Sequence, residues 1–64
     1  MSPRIDRLVR QTKDYMKSPS GTVRSYELIH GYGCSYRRLL ALMVIEATCE
    51  ENYETIGAVV EAIA

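Results

Sequence analysis

The sequence predicts an all-α fold, a small bundle of about four short helices near 3–17, 23–30, 35–49 and 53–63, with the third at the centre. Three observations carry this expectation. Apolar residues recur at helical spacing in the first and last segments. Turn-forming stretches at Ser18–Gly21 and Gly31–Gly33 separate the segments. Residues 39–45 form an unbroken apolar run of Leu, Ala and Met with Val and Ile at its end, which winds into helix more readily than it extends.

At 64 residues the chain is expected to form one helical domain, 1–64, with 47% apolar and 25% charged residues, an ordinary globular composition. A domain of this size buries only about 60% of the surface its unfolded chain exposes, so each apolar face matters. All five aromatics are Tyr, which favours half-wet positions over a dry core.

The first helix begins at Ser2-Pro3, where Ser can cap and Pro fits the first turn because its missing N–H has no helical partner there. Ile5, Leu8, Val9, Thr12 and Met16 then recur on one side, with Arg4, Arg7, Lys13, Asp14 and Lys17 mostly on the other. Ser18-Pro19-Ser20-Gly21 is expected to end it, each residue favouring a turn. Thr22 is placed to cap a second helix and Gly31 to stop it, leaving Gly31-Tyr32-Gly33-Cys34 as a tight connector.

The third helix, capped by Ser35, is apolar nearly all round. Leu39, Leu42 and Met43 take one face, Leu40, Val44 and Ala47 a second, Ala41 and Ile45 a third. Such a helix is normally buried on nearly all sides. With narrow stripes on the other helices, Leu40 and Val44 are expected to be left over as a self-association face. A break near 49–52 then allows the last helix to fold back, with either Thr48 or Asn52 as its cap. The last helix offers Tyr53, Ile56, Val59, Val60 and Ile63 as its apolar stripe.

The formal net charge is zero, but its distribution is uneven. All eight basic residues lie in residues 1–38 beside Asp6, Asp14 and Glu27, a balance of +5; residues 39–64 carry five Glu and no Lys or Arg, −5. Either the halves neutralise each other within the fold, or they form two faces of opposite sign, one suited to an anionic partner. Residues 1–17 are charged at nearly every turn and the apolar run is too short to span a bilayer. No leader and no membrane association are therefore expected, and with two Cys a reducing, cytoplasmic setting is the default.

No catalytic, cofactor or metal site is expected. His30 has no triad context, Glu50 and Glu51 point apart on a helix, and His30, Cys34 and Cys49 supply at most three soft ligands where structural zinc wants four. Cys34 and Cys49 flank a helix that would hold their Cα atoms about 20 Å apart, too far for a disulfide.

Residues 25–42 offer more. Gly33 stands between Leu28 and Tyr32 on one side and Cys34, Leu39 and Leu42 on the other, and Ser35 would start the following helix. This spacing resembles a helix-turn-helix DNA-binding unit. The resemblance implies a transcriptional regulator in which Ser35, Tyr36, Arg37 and Arg38 face the major groove, the basic N-terminal half supporting nucleic-acid contact. Two features depart from the pattern. Ile29 occupies the position, four before the glycine, where a small residue lets the helices cross. Leu40 and Val44 stand where the recognition helix should be polar.

The favoured expectation is a small non-catalytic interaction or regulatory protein, a homodimer or bound to a protein partner, acting through apolar and Tyr/Arg contacts: Arg24, Tyr26, Tyr32, Tyr36, Arg37, Arg38, Leu40 and Val44. Small host-modulating proteins of phages and mobile elements share its size and plainness, an analogy of type alone.

Overall fold

The pair Ser-Pro occurs twice, at 2–3 and 18–19, and each occurrence opens a helix in the computed structural model, which describes residues 2–64. Four helices and no strand are present among the described residues: α1 Pro3–Lys17, α2 Pro19–Tyr32, α3 Tyr36–Thr48 and α4 Tyr53–Ile63.

The second Ser-Pro corrects the expected boundary. Ser18 is the whole connector between α1 and α2. Its hydroxyl donates to the Tyr15 carbonyl (2.6 Å) and accepts from the Gly21 N–H (3.0 Å), so one side chain closes one helix and caps the next. α2 therefore starts four residues before the expected 23. Thr22 lies inside it and donates to the Met16 carbonyl (3.3 Å) rather than capping. Gly21 is a contact residue, not a breaker. It is buried, and a Cβ built on it would sit 1.6 Å from the Tyr15 carbonyl oxygen, so only glycine lets the two helices turn this tightly.

α2 also runs through Gly31 and stops at Gly33, whose φ of 59° and ψ of 33° are the left-handed conformation that glycine adopts freely. Ser35 caps α3 as expected, accepting from the Arg38 N–H (3.3 Å). α3 closes on Cys49, a left-handed residue without glycine's freedom (φ 58°). Of the two candidate caps for α4, Asn52 performs the task, accepting from the Glu54 and Thr55 N–H groups at 2.9 and 3.2 Å. Thr48 instead donates to the Val44 carbonyl.

α1 and α3 each touch all three other helices, whereas α2 and α4 never meet. The bundle is thus a central α1–α3 pair with α4 on one edge and α2 on the other. This divides the core. Leu40 and Val44 of α3 join Leu8 of α1 and Ile56, Val59 and Val60 of α4 in one cluster. Leu39 and Met43 join Leu28 of α2 in a second. Here lies the reason for the all-round apolar α3: it serves two cores, one on each flank. Leu40 and Val44 are fully buried, so the expectation of a self-association face through them is overturned. Thr12, also fully buried, is satisfied by donating to the Leu8 carbonyl (2.8 Å).

No helix is long and apolar enough to cross a membrane.

Candidate functional site

With α1 behind it and α3 on one flank, α2 buries only Gly21 and Leu28. Its other sides face solvent. Six large apolar or aromatic side chains are exposed among the described residues, and five of them, Val23, Tyr26, Ile29, Tyr32 and Tyr36, fall on α2 and the first residue of α3. Tyr26 is 61% and Tyr32 75% exposed. The Tyr26 ring stacks on His30, one turn further along α2, with centroids 5.8 Å apart.

Between α2 and α3 lies a cleft of about 550 Å³. Leu28 and Leu42 form its apolar floor, with Tyr32, Cys34, Ser35 and Arg38 around its mouth. The volume falls in the range of roughly 300–1,000 Å³ typical of ligand clefts. Cys34 contributes little chemistry, since its thiol donates to the Leu28 carbonyl (3.4 Å) and holds the turn.

The arginines of the surface differ in what they meet. Arg24 donates from Nε to Glu46 (2.6 Å) and from Nη1 to Glu27 (3.2 Å). The hydrogen bond to Glu46, then that to Glu27, raises its pKa above the ordinary arginine value, leaving a fixed, already neutralised cation. Arg37 is tied to Glu61 of α4 (2.8 Å). Arg38 is exposed with no carboxylate in ion-pair range among the described residues.

Arg4–Glu50, Arg24–Glu46 and Arg37–Glu61 each join a base from residues 1–38 to an acid from residues 39–64. The split charge of the sequence is in this measure consumed within the fold. Without an ion-pair partner among the described residues on the basic side are Arg38 and the outer side of α1, where Arg7, Arg10, Lys13 and Lys17 are exposed beside Asp6 and Asp14.

The α2–Gly33–α3 hairpin has the three-residue turn of a helix-turn-helix but not its packing register. Ile29, in the crossing position, is 43% exposed. The crossing is made by Leu28 against Leu39 and Met43, and by the Ser25 hydroxyl 3.8 Å from the Met43 sulfur.

Of the interaction residues expected from sequence, the structure brings Arg24, Tyr32 and Arg38 to the α2–α3 cleft, leaves Tyr26 and Tyr36 exposed outside its lining, ties Arg37 to α4, and removes Leu40 and Val44 to the core. Sequence reasoning missed Val23 and Ile29. Gly21 and Leu28 make the buried contact of α2, so the exposure of Val23 and Ile29 follows from which side of α2 meets α1 at Gly21, a tertiary contact rather than a local signal. It also missed Tyr53, assigned to the packed stripe of α4 but 88% exposed. His30, Cys34 and Cys49 do not converge, and no group of three or more His, Cys, Asp or Glu among the described residues is placed to hold a metal. Both cysteines are free.

Comparison with family models, with curated proteins and with solved structures returned no match.

Proposed function

We propose that this is a small non-catalytic interaction protein that docks a protein partner against the solvent-facing side of α2 and the α2–α3 turn. The observation that carries the reading is the confinement of five of the six exposed large apolar side chains to residues 23–36. Apolar surface concentrated in one segment of a 64-residue chain is unfavourable in water, and burying it under a partner removes that cost. Exposed Tyr beside Arg is the composition of interface anchors. The pairing of Arg24 and Arg37 with Glu46 and Glu61 leaves the patch near neutral, which suits a protein better than a phosphate backbone.

A regulator that binds duplex DNA through Ser35, Tyr36, Arg37 and Arg38 is the second reading. The unpartnered bases on α1 and Arg38 favour it, since they are free to meet phosphates.

A photo-crosslinking residue placed at position 26, and separately at 13 on α1, distinguishes the two in cells of the source. Protein adducts at 26 and none at 13 are expected. Nucleic-acid adducts at 13, with position 26 silent, would establish the second reading instead.

A further inference from the structure

Two features of the surface lack partners among the described residues, and each has what the other needs. The first is the α2–α3 cleft, lined by Leu28, Leu42 and Tyr32, by the unpaired Arg38, and by Arg24, whose charge Glu46 and Glu27 already balance. The second is Tyr53, the most exposed of the large apolar side chains at 88%. It stands between Glu51 and Glu54, which have no basic residue in ion-pair range among the described residues. The other four glutamates, Glu27, Glu46, Glu50 and Glu61, are all paired. An aromatic side chain flanked by free carboxylates is thus complementary in shape class and in sign to an apolar cleft flanked by a free guanidinium.

The two cannot meet inside one molecule. The Arg37–Glu61 pair sets the start of α3 beside the end of α4, so these helices run antiparallel. The cleft lies at the start of α3 and Tyr53 at the start of α4, hence at opposite ends of the pair; α2, which forms one wall of the cleft, does not touch α4. We propose that the cleft receives Tyr53 of a second copy of this chain, with Glu51 and Glu54 of that copy facing Arg38. A net charge of zero removes the long-range repulsion that would otherwise oppose like copies. The contact joins two different patches. Used once it leaves a free cleft and a free Tyr53 for further copies, and used twice about a two-fold axis it closes a dimer. The inference rests on the docking reading above and names its partner.

The test is association by sedimentation velocity up to about millimolar protein, for wild type, Tyr53→Ser, Arg38→Glu and an equimolar mixture of the two variants. Both positions are exposed, and unchanged helical circular dichroism verifies folding. Wild type is expected to associate, each variant alone to dissociate at least tenfold more readily, and the mixture to recover one-to-one pairs. Recovery follows because one variant keeps an intact cleft and the other an intact Tyr53. A wild type that stays monomeric, or association indifferent to both variants, overturns the proposal. In either case protein adducts at position 26 would still sustain the α2 docking surface with another partner, and their absence would remove both.

Discussion

The backbone carbonyl of Tyr15 occupies the space where any side chain at position 21 would begin: a Cβ on Gly21 would lie 1.6 Å from its oxygen and 2.5 Å from its carbon. Backbone cannot rotate away as a side chain can, so α1 and α2 must part to admit even a methyl group. Gly21→Ala is expected to destabilise the fold by at least about 2 kcal/mol, at or above the range of core overpacking. Gly57→Ala, in mid-α4 with nothing within 4 Å of the added Cβ, should stabilise by about 0.5–1 kcal/mol through helix propensity. Urea midpoints of the pair measure the contrast. Equal effects at the two positions would refute the close approach.

Cys49 closes α3 at a φ of 58°, where its Cβ crowds the following carbonyl. Cys49→Gly is expected to raise stability by about 1 kcal/mol, the steric cost of a left-handed residue with a side chain. A fall in melting temperature would show that the exposed thiol makes a contact worth more than the strain.

Asn52 alone receives two N–H groups at the start of α4. Asn52→Ala should cost about 0.5–2 kcal/mol, and Asn52→Asp should retain most of the stability. Thr48→Val tests the rejected alternative. It removes only a hydroxyl bonded to its own helix and the Glu50 N–H, and is expected to cost less than Asn52→Ala.

Leu40 has no exposed surface and packs in the cluster shared by α1, α3 and α4. Leu40→Ala should cost about 2–5 kcal/mol, and Leu40→Glu should unfold the chain, because a lone buried carboxylate has no partner there. A folded Leu40→Glu protein with altered self-association would restore the surface role that the structure removes.

The helical class, the four segments, the Ser35 cap and the start of α4 at Tyr53 were legible because each depends on local chemistry. What was not legible depended on long-range pairing or on residues that carry two signals. Ser18-Pro19 is both a turn and a helix start, and the latter prevails because Gly21 lets α1 pass close by. Leu40 and Val44 looked surplus because three narrow stripes seemed too few to cover α3. The structure covers both flanks by placing α2 and α4 on opposite edges. The charge split could be read as two faces or as internal pairing. Arg4–Glu50, Arg24–Glu46 and Arg37–Glu61 support the second for those residues, leaving Arg38 and the outer side of α1 free. The exposure of Val23 and Ile29 depends on which side of α2 packs on α1 and α3, a tertiary choice that no local signal fixes.

α2 rests on α1 and α3 alone and buries just Gly21 and Leu28, so it is the element with least to hold it closed. Its backbone amides are expected to exchange with deuterated water ahead of those of α3 and α4, through openings that leave the Leu40–Val44 side of the core intact. The segment proposed to meet a partner is then also the segment a protease would reach first. An occupant seated on α2 would favour the closed form by mass action, and the survival time of the chain in a cell would come to depend on how much of its partner is present.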